Sequence, residues 1–72
     1  MERYSNLGGD SGIQGYEIGS DHIIVWFKGN TKSYTYSYGK AGSSHVEKMK
    51  NLAIKGHGLN SYIMRHVKNL YD

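Results

Sequence analysis

An α+β fold is predicted, a three-stranded antiparallel β-meander followed by two helices packed on one face of the sheet, and two changes of rhythm along the chain carry that prediction. Residues 13–38 alternate apolar and polar side chains, the period of a strand with one face buried, whereas residues 44–71 space their apolar side chains three and four apart, as an amphipathic helix does. Clusters of Gly, Ser, Asn and Asp separate the segments and mark the turns. A sheet with one apolar side needs a cover, and two amphipathic helices supply it, which gives the order β-β-β-α-α.

The first strand is Ile13 to Ile18, closed by the turn Gly19-Ser20-Asp21. His22 to Lys28 is the strongest strand, because its β-branched and aromatic residues suit a pleated surface. Alternation puts Ile23, Val25 and Phe27 on one face and His22, Ile24, Trp26 and Lys28 on the other. Gly29-Asn30-Thr31 breaks the run as a hairpin loop, and Lys32 to Tyr38 returns with Tyr34, Tyr36 and Tyr38 alternating against Ser33, Thr35 and Ser37. Gly39-Lys40-Ala41-Gly42-Ser43 is a linker. Ser44-His45-Val46-Glu47 then reads as a capping box, in which the serine hydroxyl satisfies a free N–H of the first turn and the glutamate reaches back to the cap. A helix is expected from there to Lys55, burying Val46, Met49 and Ala53 and stopping at Gly56. A second starts near Leu59, with Leu59, Tyr62, Ile63, Val67, Leu70 and Tyr71 on one face together with His66. Residues 1–12, which end in Gly8-Gly9-Asp10-Ser11-Gly12, show no periodicity and read as a flexible N-terminal tail or loosely docked arm, leaving 13–72 as one domain.

Seventy-two residues make one domain with a thin core, because a chain this short buries only about 60% of its unfolded surface. With no cysteine, neither a disulfide framework nor a thiolate zinc site supplements that core. Aromatic packing is the remaining resource, from seven tyrosines, Trp26 and Phe27. The longest apolar run, Ile23 to Phe27, falls far short of the roughly 20 residues of a membrane-spanning helix. The opening residues lack the apolar middle of a signal peptide, so a cytoplasmic chain is expected.

The net charge of +3 hides a division. Residues 1–27 hold Arg3 against Glu2, Asp10, Glu17 and Asp21, a balance of −3, whereas residues 28–71 hold eight bases against Glu47 alone, a balance of +7. So one-sided a segment attracts polyanions. The plainer reading is a solvated basic face that aids solubility.

Tyr34-Thr35-Tyr36 after the Val25/Phe27 strand, Leu52-Ala53, Lys55-Gly56-His57-Gly58-Leu59-Asn60, Ile63 and Tyr71 together resemble the KTSC domain, a small domain found at the C-terminus of some lysyl-tRNA synthetases and as stand-alone bacterial and phage proteins. The similarity covers roughly residues 13–71. It implies a KTSC-like domain and an RNA-binding role. The family's usual Val-Pro after the tyrosine pair is replaced here by Gly39-Lys40-Ala41-Gly42.

Two segments are candidates for binding. The tyrosine row, if it lies on the open side of the sheet near Lys28 and Lys32, is a platform for unstacked bases. If the hairpin instead pairs Phe27 with Tyr34 and Val25 with Tyr36, the row belongs to the core, which so small a chain favours, and Trp26 and Ile24 occupy the exposed face. Lys55-Gly56-His57-Gly58 closes one helix and opens another. It is either a glycine-rich cradle for phosphate at a helix start or an ordinary helix-helix turn, and the second is the commoner use of such a sequence. His22, His45, His57 and His66 show no metal-ligand spacing, and no carboxylate or nucleophile is placed to form a catalytic group with them, so neither a metal, a cofactor nor an enzyme is expected. The favoured expectation is a binding domain for RNA or single-stranded nucleic acid through Lys28, Lys32, Tyr34, Tyr36, Lys48, Lys55, Gly56, His57, Gly58, Arg65 and Lys68. The alternative is a protein-interaction module, such as a homodimer formed through Ile24 and Trp26 or through an open edge strand.

Overall fold

The computed structural model describes residues 2–7, 12–29 and 32–72. The hairpin tip at Asn30-Thr31 and the glycine-rich stretch Gly8–Ser11, both expected to break the strand pattern, lie outside the described residues. The class is the expected α+β, with one more strand. Glu2–Arg3 (β1), Ile13–Ile18 (β2), His22–Phe27 (β3) and Ser33–Ser37 (β4) form a four-stranded antiparallel sheet in the order β1-β2-β3-β4. Ser43–Lys55 (α1) and Leu59–Tyr62 (α2) follow, and α2 runs on into a π-helical turn, Ile63–Val67.

The extra strand corrects the reading of the first residues as an unpatterned tail. Glu2 pairs with Tyr16 and Arg3 with Gly15, and the ladder continues through the Tyr4 amide, which donates to the Gln14 carbonyl at 3.1 Å. Tyr4 is buried. Two residues of strand are too few to show alternation, so composition alone reads them as coil.

The β3–β4 hairpin pairs Val25 with Tyr34 and Ile23 with Tyr36, two residues away from the Phe27–Tyr34 register considered above. A shift of two keeps every side chain on its face, so the core assignment of the row survives the change of register. Ile23, Val25 and Tyr36 are buried beneath the helices, while Ile24 and Trp26 are half-buried on the opposite face. Between β2 and β3 the register slips between Ile13 and Gly15, a β-bulge that leaves Gln14 as the extra residue.

α1 buries Val46, Met49 and Ala53 and ends in Gly56 at φ 78°, as its periodicity predicts. Its start differs. Gly42, not Ser44, is the N-cap, and no side chain caps the first turn, so the expected capping box does not form. The helix begins one residue before Ser44, which leaves that serine inside the first turn and Glu47 beyond the third position a capping box needs, and the Glu47 carboxylate is engaged by the Tyr38 hydroxyl and Lys50.

In the second helical segment Leu59, Ile63 and Val67 are buried at intervals of four. An α-helix drifts roughly 40° over four residues at 3.6 per turn. The wider π turn takes up part of that drift and keeps the three side chains on the core.

The buried set, Tyr4, Ile13, Ile23, Val25, Tyr36, Ala41, Val46, Met49, Ala53, Leu59, Ile63 and Val67, joins all three layers of chain: arm, sheet and helices. Each large member contributes about 1.5–3 kcal/mol by leaving water. The arm's contact with the helices is close: a Cβ on Gly56 would stand 2.7 Å from the Ser5 Cβ, and the Leu7 amide donates to the Gly56 carbonyl at 2.7 Å. Gly56→Ala therefore meets both a left-handed backbone penalty and a backbone-level clash. It is expected to lower unfolding free energy by about 1–3 kcal/mol, measured by urea denaturation, whereas Gly39→Ala, whose Cβ would meet nothing within 4 Å, should leave the midpoint close to wild type.

Candidate nucleic-acid interface

Antiparallel pairing places Tyr34 and Tyr36 on the helix side of β4, and the chain after the π turn brings Tyr71 back onto them. The Asp72 amide donates to the Thr35 carbonyl at 2.7 Å, which fixes the last residues along the β4 edge, and the Ser37 hydroxyl donates to the Asp72 carboxylate at 2.8 Å. The rings then meet edge to face: Phe27 with Tyr34 at 5.5 Å, Tyr34 with Tyr71 at 4.9 Å, and Tyr36 with Tyr71 at 6.4 Å between centroids. Such pairs add about 0.5–1.5 kcal/mol each beyond simple burial. Together with Met64, Lys68 and Asn69 these rings line an open cleft of about 330 Å³. That volume lies near the lower end of the range, about 300–1,000 Å³, in which small-molecule sites fall.

Three of the residues singled out from sequence, Tyr34, Tyr36 and Lys68, thus converge. Tyr36 is only 2% exposed, so it closes the inner wall of the cleft and offers no free stacking face. Tyr34 is half-buried, and Tyr71, 40% exposed, is the most accessible ring. Burial, with lesser contributions from the Tyr34 and Tyr71 phenols beside it, pushes the Tyr36 phenol up to about 12.

The other singled-out residues lie outside this cleft. Lys28, just beyond β3, borders a separate cleft of about 650 Å³ with Arg3, Ser5, Asn6 and Gln14. Lys32 is exposed just before β4, Lys48 and Lys55 are exposed on α1, Arg65 is exposed on the π turn, and none of these four lines either cleft. Ile24 and Trp26 sit half-buried on the helix-free face among Gly15, Glu17, Ser33 and Thr35. Of the cations in residues 28–71, Lys68 lines the aromatic cleft and Lys28 the second one. Lys50, which shares that segment, is engaged by Glu47 at 2.9 Å and lies 5.4 Å from the Tyr38 ring centroid. The Tyr38 hydroxyl and then Lys50 hold the Glu47 carboxyl below its ordinary range.

The Lys55-Gly56-His57-Gly58 turn behaves as a docking point for the N-terminal arm. Gly56 is buried against Ser5, and the Leu59 amide, the first free N–H of α2, donates to the Tyr4 hydroxyl at 3.3 Å. One of the donors that a phosphate cradle would present is thereby taken up within the fold. Lys55 and His57 remain exposed.

Two features escape the sequence. Arg3 reaches its cleft only because β1 pairs with β2, and nothing in so short a strand announces that pairing. His45 and His66, 21 residues apart, meet across the helices with ring centroids 5.8 Å apart, and the Tyr62 hydroxyl lies 2.7 Å from His45 Nδ1. Among the described residues no group of three or more His, Cys, Asp or Glu is arranged to hold a metal ion, and no helix is long and apolar enough to cross a membrane.

Compared with known protein families, with curated proteins and with solved structures, the chain matches none.

Tyr36 is neutral in the fold to about pH 12 but ionises near 10 when exposed. Its burial thus contributes stability that is complete below about pH 10 and is lost as pH rises toward 12. The Tyr38 phenol is also held up, chiefly by its hydrogen bond to Glu47, so alkaline titration followed by phenolate absorbance is made in a Tyr38→Phe background, where one tyrosine should ionise last and Tyr36→Phe should remove that step and flatten the fall in urea midpoint over the same window. A Tyr36→Phe/Tyr38→Phe protein whose late-ionising phenol persists would assign the shift to another ring.

Proposed function

We propose that this chain is a non-catalytic binding domain for single-stranded nucleic acid, RNA in particular, which takes an unstacked base against Tyr71 and Tyr34 and a backbone phosphate at Lys68. The observation that carries the reading is the convergence of an accessible aromatic cleft with a cation and an amide, Lys68 and Asn69, at its rim. Aromatic rings offer a face to any base, worth about 1–3 kcal/mol per stacked base, while a neighbouring cation offers charge to the phosphate that follows it. The amide of Asn69 can both donate and accept, which suits a base edge. The KTSC resemblance, residing in Tyr34, Tyr36, Lys55–Asn60, Ile63 and Tyr71, favours RNA over DNA.

The homodimer reading draws on Ile24 and Trp26, but these are already half covered on a face flanked by Glu17 and small polar residues. The cleft is the better-formed feature.

Short single-stranded RNA and DNA titrated into labelled protein at low and high salt test the proposal. Expected are amide shifts at Tyr34, Lys68, Asn69 and Tyr71, with a dissociation constant of about 10⁻⁴–10⁻⁶ M that weakens as salt rises. Tyr71→Ala should weaken binding by about 1–3 kcal/mol. Lys68→Ala should lower the log–log salt slope by about 0.7, one phosphate contact on a single strand. Absence of any shift in these residues at low salt contradicts the proposal, and a shift confined to Ile24 and Trp26 as protein concentration rises supports the dimer instead.

A further inference from the structure

The second cleft is not absorbed by the base-binding reading. Arg3 arrives there on β1, Lys28 on the residue that follows β3, and Gln14 on the bulge between β2 and β3. Bulges commonly re-aim a side chain beside a site, and this one stands opposite the end of β3 that carries both clefts. Phe27 borders the aromatic cleft and the next residue, Lys28, the other; consecutive residues of an extended chain point to opposite faces, so the two openings flank the end of β3 from either side. Ser5 and Asn6 add neutral polar side chains to the rim, and neither Arg3 nor Lys28 pairs with a carboxylate among the described residues.

We infer that this cleft is a phosphodiester subsite: Arg3 and Lys28 hold the backbone of the same strand whose base occupies the aromatic cleft, so the bound polymer crosses the end of β3. This rests on the nucleic-acid reading above and extends its footprint beyond one nucleotide. Arg3 presents a planar fork that suits a phosphate's oxygens, and Lys28 adds a point charge. The cleft's breadth, about 650 Å³, leaves room for a phosphate that keeps part of its water. Because the arm carries Arg3, the N-terminal residues become part of the binding surface as well as of the sheet.

The test is the salt dependence of hexauridylate binding to the full chain and to the Arg3→Ala/Lys28→Ala double variant, with uridine nucleoside as a second probe. Both side chains are exposed, and an unchanged urea midpoint shows that the variant is folded. The expected result is a log–log salt slope flatter by about 1.4, 0.7 for each lost phosphate contact, with the uridine shifts at Tyr34 and Tyr71 unaltered. A slope equal to wild type, while Tyr71→Ala still weakens hexauridylate, overturns the subsite and leaves the base-binding reading standing. Failure of hexauridylate to bind wild-type protein at low salt overturns both. Displacement of hexauridylate from wild type by hexaglutamate as readily as by tripolyphosphate also overturns the subsite, since the cleft would then recognise negative charge without preference for phosphate.

Discussion

One buried hydrogen bond orders the rest of this small structure: the Leu59 amide to the Tyr4 hydroxyl, at 3.3 Å and across 55 residues of sequence. A helix start leaves free N–H groups, and one buried without a partner costs about 1–3 kcal/mol. Leu59 is the first residue after the N-cap Gly58, a position whose N–H even a capping side chain leaves unmet because it reaches the next two amides instead, and a tyrosine from the opposite end of the chain accepts it. For the hydroxyl to reach Leu59 the arm must lie across the turn between the helices, which explains why Gly56 tolerates no Cβ and why its carbonyl accepts the Leu7 amide. Asn6, at φ 54°, makes the bend that lets Leu7 reach it, a conformation asparagine adopts more readily than most residues. The same course of the arm seats β1 on β2 and delivers Arg3 to the cleft it shares with Lys28.

The aromatic residues serve two ends of one requirement. A core this thin needs large side chains, and Tyr36 is buried among the largest of them. The row it belongs to runs outward along β4, where Tyr34 is half covered and Tyr71 from the C-terminal segment leans on both. Packing therefore grades into a surface without a change of element, and the accessible cleft is the unfinished edge of the core. Binding at such an edge needs little reorganisation, because the rings are already held edge to face and the chain end is tied to Thr35.

Much of the fold was legible because its long elements repeat one physical signal. The alternation of residues 22–38 placed the right side chains inward even though the register considered was off by two, and the spacing of Val46, Met49 and Ala53 found the buried face of α1 together with its glycine stop. Misreadings fell where a signal depends on a partner distant in sequence. Ser44 and Glu47 satisfy the capping-box pattern, but the helix begins one residue earlier and Tyr38 and Lys50 engage the glutamate. Glu2–Arg3 is strand only because β2 offers an edge, and Gly56 is buried only because the arm lies over it. The candidate site was legible in the same uneven way. Tyr34, Tyr36 and Lys68 do meet, but the even spread of Lys and Arg along residues 28–71 carries no information on which of them faces a cleft, and Arg3 stands in the acidic first third of the chain, where the charge balance points away from an anion site.

The account stands on the arm being an integral part of the fold, and native-state amide hydrogen exchange at Leu59 addresses that claim with the least intervening inference. With Tyr4 docked, the Leu59 amide should exchange only through global unfolding, as slowly as the buried strand amides of Ile23 and Val25, and Tyr4→Phe should speed it selectively. A Leu59 amide that exchanges as freely as a fraying terminus in the unaltered protein, while Ile23 and Val25 stay protected, would show that the arm detaches readily and that neither the four-stranded sheet nor the placement of Arg3 is a property of the folded state.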